Sequence, residues 1–203
     1  MSDFDGWLPQ ATRYDTPYYD ARPDPADITL LVVHNISLPL GWFGGPHVSD
    51  LLTGRMDYNA DPSFADLRGL KVSSHFFIRR DGRVIQYVSA NERAWHAGRS
   101  YFRGREQCND FSIGIELEGS DFVPFEVAQY EALADLTIAL RRHYPLTDVQ
   151  GHEHIAPGRK TDPGPCFDWD FYRNLLNKKA PAEPALVAAI AGLRVVKGLP
   201  QSQ

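Results

Sequence analysis

The sequence is poor in cysteine and has no long apolar run. Its 203 residues include two cysteines, Cys108 and Cys166, too few for a disulfide framework, which fits a reducing compartment. The longest apolar run, residues 185–193, is far shorter than the roughly 20 residues that a membrane-spanning helix needs. Residues 1–15 lack the basic start and the apolar stretch of a signal peptide. We therefore expect no membrane partner and a cytoplasmic location.

The chain also lacks an excess of positive charge. It has 21 Lys and Arg against 26 Asp and Glu, a formal net charge of −5 at pH 7. This balance argues against a general affinity for nucleic acid or for an anionic membrane surface. Hydrophobic residues make up 43% and charged residues 23%, which is typical of a globular domain with a sizeable core. No obligate protein partner is evident.

Short apolar segments and one long amphipathic segment predict an α/β fold. Residues 28–33 (ITLLVV) lack polar alternation, which predicts a strand buried on both faces. Apolar residues at helical spacing over 125–143 predict a helix that Pro145 ends. The other predicted elements are a hairpin at 74–88, strands at 111–117 and 148–151, and a helix at 168–177. Because these elements keep no strict strand–helix–strand rhythm, we expect a single domain with a mixed central sheet flanked by helices.

Two stretches fall outside these main elements. Residues 38–62 hold two Gly-rich turns around a short helix at 47–53, which predicts a long loop over the face that carries the functional site. From residue 179 the chain becomes rich in Ala and Pro. We therefore expect one domain over 1–178 and a tail over 179–203 that is flexible or forms a short helix.

Histidine and aspartate in two distant segments could bind a metal ion. His34 directly follows the predicted buried strand, so it lies at a strand end, where binding groups converge in α/β sheets. His152 and Asp162 lie in a Gly/Pro-rich segment, residues 151–165. Imidazole and carboxylate are ordinary zinc ligands, and catalytic zinc uses three of them and leaves one position open. Spacing alone leaves open that these are surface or strand-end residues without a metal.

Five segments in order carry a more specific pattern. They are LVVHNISLP (31–39), FGGP (43–46), AWHAG (94–98), CNDFSIGIELEG (108–119) and RKTDPGP (159–165). These segments resemble the AmpD-type 1,6-anhydro-N-acetylmuramyl-L-alanine amidases, part of the zinc amidase superfamily that includes phage T7 lysozyme and the peptidoglycan recognition proteins. The resemblance runs from about residue 7 to residue 169 and leaves the tail uncovered.

The resemblance implies a role for five residues. It makes His34, His152 and Asp162 the ligands of a Zn²⁺ cofactor. A zinc ion lowers the pKa of bound water toward about 7 and polarises the amide carbonyl. The resemblance makes Glu116 the group that activates this water and passes its proton to the leaving amine. It makes Lys160 the residue that stabilises the developing oxyanion.

Three nearby residues are alternatives. Glu118 lies on the same face of its predicted strand as the proposed base. His154 is two residues from His152, and both would face one side of a strand-like segment. Cys166 lies four residues after Asp162, and a thiolate is a strong zinc ligand. Only register with the family motifs separates these residues from the chosen ones.

The same motifs imply residues that line a substrate groove. These are Asn35, Lys71, His75, Trp95 and His96. The chain departs from the family at two basic positions, where an arginine is typical and this sequence has Lys71 and Gln107. Lysine keeps the charge but loses the bidentate fork, and glutamine loses the charge. Arg105 is therefore a candidate substitute for binding substrate carboxylates.

The implied activity is hydrolysis of the amide bond between (1,6-anhydro-)N-acetylmuramic acid and L-alanine in muropeptides. Without a signal peptide, the expected role is cytoplasmic recycling of wall fragments, with a small muropeptide as substrate. One alternative is an amidase that acts on intact peptidoglycan. Another, of a different class, is a peptidoglycan-binding module without catalysis.

Overall fold

The computed structural model describes residues 4–179 and 192–195. The strands are β1 (Thr12–Arg13), β2 (Tyr19–Asp20), β3 (Leu30–Ile36), β4 (Phe76–Ile78), β5 (Val84–Gln86), β6 (Arg93–Ala94), β7 (Tyr101–Phe102), β8 (Arg105–Glu106), β9 (Ser112–Glu118), β10 (Asp148–Gly151) and β11 (Arg194–Val195). The α-helices are α1 (His47–Leu52), α2 (Val127–Arg141), α3 (His152–Ile155) and α4 (Trp169–Lys179). Short 3-10 helices cover Pro62–Leu67 and Cys108–Asp110.

A seven-stranded mixed sheet forms the centre of the domain, in the order β1-β5-β4-β9-β3-β10-β11. Within this sheet β4 and β5 are antiparallel, and the other neighbouring pairs are parallel. The predicted single α/β domain with a mixed sheet flanked by helices is confirmed. Because β9, β3 and β10 run in parallel, their carboxyl ends meet at one edge of the sheet.

The two faces of the sheet have different partners. Leu31 and Val33 of β3 face the main core, which also contains Leu133 of α2 and Tyr172 of α4. Their neighbours along the strand point to the opposite face, because side chains alternate in a strand. That second face carries a smaller apolar cluster of Leu30, Val32, Ala97, Phe102, Cys108, Phe111 and Ile155. The strand is therefore buried on both faces, as its sequence predicted.

Two elements near the expected site differ from the prediction. β3 continues for two residues beyond His34, so this histidine lies within the strand and next to its carboxyl end. Residues 152–155 form the short helix α3 where a strand-like or loop segment was expected. A segment of four residues is too short to show the periodicity that would distinguish a helical turn from an extended segment.

The long loop at 38–62 is anchored to the end of β9 by Glu118. The Gly44 N–H donates to Glu118 Oε1 at 2.6 Å, and the Arg80 N–H donates to Oε2 at 3.0 Å. The Arg79 guanidinium lies 3.6 Å from the same carboxylate and donates to Gly45 O. The Glu118 carboxylate therefore fixes this loop at the edge of the sheet where β3 and β9 end.

Part of the predicted tail contributes an edge strand. β11 pairs in parallel with β10, and Arg194 donates to both carboxylate oxygens of buried Asp148 at 2.9 and 2.8 Å. The short helix expected as one form of this tail falls largely on residues outside the described ranges. In the described part of the chain, no helix has the length and apolar character that crossing a membrane requires.

Candidate active site

Three side chains from two distant segments converge at the carboxyl ends of β3 and β10. His34 Nδ1 lies 3.0 Å from His152 Nδ1 and 2.9 Å from Asp162 Oδ2. His152 Nδ1 lies 3.1 Å from the same carboxylate oxygen. Both imidazoles are buried, and 15% of the Asp162 side chain is exposed. The three atoms form a nearly equilateral triangle that is open to solvent on the Asp162 side.

This triangle has the chemistry of a metal site. The His152 Nε2–H donates to the carbonyl of Ala97 at 3.0 Å, and in this tautomer the Nδ1 lone pair of His152 faces the cluster. Burial, and then the nearby His152 imidazole, lowers the pKa of His34 from 6.5 to about 4, so the His34 ring is neutral at pH 7. Tetrahedral zinc with bonds of about 2.0–2.1 Å has donor atoms roughly 3.3 Å apart, close to the observed edges. Two imidazoles and one carboxylate can therefore hold zinc and leave a fourth position free.

Glu116 lies on β9 directly across from His34 in the parallel register. Its Oε2 is buried and has no hydrogen-bond partner within the described residues. Burial raises the pKa of Glu116 well above 4.5, the Asp162 charge acts in the same direction, and Lys160 opposes both. A carboxyl group with a raised pKa and a free oxygen can exchange a proton near neutral pH. Glu118 has no such freedom, because its two oxygens accept the N–H groups of Gly44 and Arg80.

Lys160 is exposed, and its charge acts on both His34 and Glu116. Its neighbour Arg159, which the sequence interpretation did not single out, holds this loop in place. Arg159 Nη2 donates to the carbonyls of Ala97 and Arg99 at 2.7 and 2.6 Å. The position of Arg159 inside a family motif was a signal, but its backbone partners lie some 60 positions earlier and could not be found from spacing.

The two alternative ligands point elsewhere. His154 Nδ1 accepts the Gly151 N–H at 3.0 Å, and its ring lies 5.5 Å from that of Trp169. Because α3 is helical, residues two apart do not share a face, so His154 turns away from His152. Cys166 Sγ donates to the carbonyl of Asp121 at 3.1 Å. Neither side chain belongs to the triangle.

The proposed groove residues are distributed between surface and interior. Asn35 Nδ2 donates to Asp121 Oδ1 at 2.8 Å and to Pro163 O at 3.0 Å, and so holds the segment that contains Asp162. His75 is fully buried and binds Gly114 N and Glu92 O.

The other three groove candidates, Trp95, His96 and Lys71, differ in exposure. Trp95 is partly buried and stacks on Tyr18 with ring centroids 6.1 Å apart. His96 lies behind His34 and is 9% exposed. Lys71 is exposed.

The structure does not bring Arg105 to the cluster. Its guanidinium pairs with Asp27 and lies 3.7 Å from the ring centroid of Phe111. Gln107 and Arg159 line a separate cavity of about 290 Å³. A substitution of the missing arginine by Arg105 would therefore require breaking the Asp27 pair.

A mixed α/β domain with two imidazoles and a carboxylate at its strand ends, beside a free carboxyl group, has the groups of a metal-dependent hydrolase. Comparison with known proteins also indicates a hydrolase. Residues 24–165 match the family model described as N-acetylmuramoyl-L-alanine amidase. The chain belongs to this family and is an N-acetylmuramoyl-L-alanine amidase.

Individual relatives make the likeness specific. The chain is 54% identical over 181 residues to the 1,6-anhydro-N-acetylmuramyl-L-alanine amidase AmpD of Citrobacter freundii, covering 88% of this chain and 97% of that protein. A crystal structure of a Se-Met AmpD derivative superposes with a TM-score of 0.83 at 55% identity, covering 85% of this chain and 98% of that one. The Escherichia coli amidase AmiD, solved with anhydro-N-acetylmuramic acid-L-Ala-D-gamma-Glu-L-Lys, superposes with a TM-score of 0.54 at 33% identity, covering 77% and 60%.

Proposed function

We propose that this amidase is zinc-dependent and hydrolyses the bond between 1,6-anhydro-N-acetylmuramic acid and the L-alanine of muropeptides. The observation that carries the proposal is the triangle of His34, His152 and Asp162 donor atoms beside the unpaired oxygen of Glu116. The named activity of a relative at 54% identity supports the anhydro sugar, as does the ligand bound by the AmiD relative. The cytoplasmic location and a role in wall recycling stay predictions.

The bound metal, Glu116 and Lys160 have different roles in amide hydrolysis. Zinc, when bound, supplies Lewis acidity that polarises the carbonyl and makes water a better nucleophile at neutral pH. Glu116 accepts the proton of the attacking water and then donates it to the departing amine, for which its raised pKa is suited. Lys160 places a positive charge beside the oxygen on which negative charge develops.

Replacing Lys160 by methionine tests the oxyanion role. Lys160→Met keeps the length of the side chain and removes its charge. Removing one stabilising group of this kind costs about 10²–10³-fold in kcat, so we expect a loss in that range with the zinc content unchanged. Steady-state kinetics on a soluble anhydromuramyl-peptide measures it. Lys178→Met, at an exposed position near the end of α4, is the control and should leave kcat intact. Equal kcat in the two variants would remove Lys160 from the mechanism.

Substrate choice is tested with paired muropeptides that differ only in the sugar. We expect faster release of peptide from the 1,6-anhydro form than from the non-anhydro form, with products identified by mass spectrometry. Equal turnover of both forms and of intact sacculi would favour an amidase of intact peptidoglycan. Binding without release of peptide from either form would favour a non-catalytic module.

A further inference from the structure

His96 lies directly behind the buried ligand candidate His34. The two rings are nearly perpendicular, with centroids 5.1 Å apart, and His96 Nδ1 lies 3.0 Å from His34 Nε2. On its other side, His96 Nε2 lies 3.2 Å from the hydroxyl of Ser112 on β9. The side chain therefore contacts a ligand residue and the sheet, and it is largely shielded from a substrate.

The hydrogen-bond partners of Ser112, His96 and His34 are consistent with one placement of their protons. The Ser112 hydroxyl donates to the carbonyl of Cys108 at 2.5 Å, so its oxygen is left to accept a proton from His96 Nε2. Neutral His96 then has no proton on Nδ1, which accepts the Nε2–H of His34. Neutral His34 in turn has its free lone pair on Nδ1, the atom that faces His152 and Asp162.

The surrounding backbone is shaped to hold His96 in this position. A Cβ atom at Gly114 of β9 would lie 2.4 Å from His96 Cγ, so only glycine leaves room for the ring against the sheet. The Asn109 side-chain oxygen accepts the backbone N–H groups of His96 and Ala97 at 3.1 and 2.8 Å. Ala97 is the residue whose carbonyl fixes His152, so one segment orients both imidazoles.

We propose that His96 is a positioning residue that accepts the Nε2–H of His34 and thereby holds the His34 Nδ1 lone pair on the metal. Ser112 fixes the tautomer of His96, and Gly114 provides its space. The proposal rests on the zinc site proposed above. It assigns the ligand-orienting role to a neutral histidine, where metal-binding histidines ordinarily donate to a carboxylate, a carbonyl or water.

The test compares two substitutions by their zinc dissociation constants, measured by competition with a chromophoric chelator. His96→Leu removes the acceptor and leaves the His34 N–H buried without a partner. Loss of such an outer partner typically weakens metal binding by about 10–100-fold, and we expect a loss in that range. His96→Asn keeps an oxygen near the position of Nδ1 and should bind zinc with close to wild-type affinity. The visible absorption of the cobalt-substituted protein should shift for His96→Leu and stay near wild type for His96→Asn.

Thr137→Val is the control for loss of a buried hydrogen-bonding side chain. Thr137 is fully buried and binds Leu133 O and the Tyr172 hydroxyl, both residues of the main core on the other face of the sheet. We expect its thermal midpoint to fall while its zinc dissociation constant stays near wild type. Wild-type zinc affinity in folded His96→Leu, or an equal loss in Thr137→Val, would overturn the positioning role. Absence of zinc binding by the wild-type protein would instead contradict the zinc site itself.

Discussion

Replacing Glu116 by glutamine should lower kcat by about 10²–10⁴-fold while zinc stays bound, the range that positioned acid–base groups contribute. Glutamine keeps the shape of the side chain but cannot accept the proton of water. Glu116 is also outside the triangle of donor atoms, so its neutralisation leaves all three ligands in place. The measurement is kcat on a soluble anhydromuramyl-peptide, with zinc content determined on the same preparation.

Glu118→Gln is the natural control for this variant. The residue lies on the same face of β9, but its oxygens accept the N–H groups of Gly44 and Arg80. We expect a lower thermal midpoint from loosening of the loop, with a much smaller loss of kcat than in Glu116→Gln. Near-normal turnover in Glu116→Gln, or equal losses in both variants, would mean that another group is the base.

Replacing Asp162 by alanine should abolish both zinc binding and turnover. The substitution removes the one carboxylate donor of the triangle and leaves two imidazoles, which are too few for a catalytic zinc site. Loss of the metal removes several kcal/mol of transition-state stabilisation. Because each 1.36 kcal/mol is about tenfold in rate, turnover should fall by several orders of magnitude. Metal analysis and kinetics on the same folded sample measure both effects.

Cys166→Ser separates Asp162 from the competing ligand. Cys166 Sγ contacts the carbonyl of Asp121, and a serine hydroxyl can make the same hydrogen bond. We expect its zinc content and kcat to match wild type. Zinc retained by Asp162→Ala and lost by Cys166→Ser would reverse the assignment.

Local pattern predicted the central elements well, because β3 is a continuous apolar run and α2 has apolar residues at helical spacing, as their burial requires. The predicted strands placed His34 and Glu116 in a sheet, and the family motifs selected them from among similar residues. The helical turn of α3 was missed because four residues carry no usable period. The pairing of β11 with β10 was missed because Arg194 and Asp148 meet across 46 positions of sequence.

The surroundings of the site were harder to predict than the three residues of the triangle. The sequence suggested that His75 and His96 face a substrate, whereas both lie in the interior on the second face of the sheet. Their burial depends on how residues 94–112 fold back against β3 and β9, which spacing does not encode. Gly114 was a usable signal, since a glycine inside a strand often marks a close approach of another group.

The most direct test of the account is turnover of an anhydromuramyl-peptide by wild-type protein before and after removal of its metal. We expect about one zinc per chain, release of free peptide, loss of activity after chelation and recovery on addition of zinc alone. Peptide release that persists in metal-free protein would contradict the zinc mechanism. Stoichiometric zinc with no peptide release would contradict the assigned reaction.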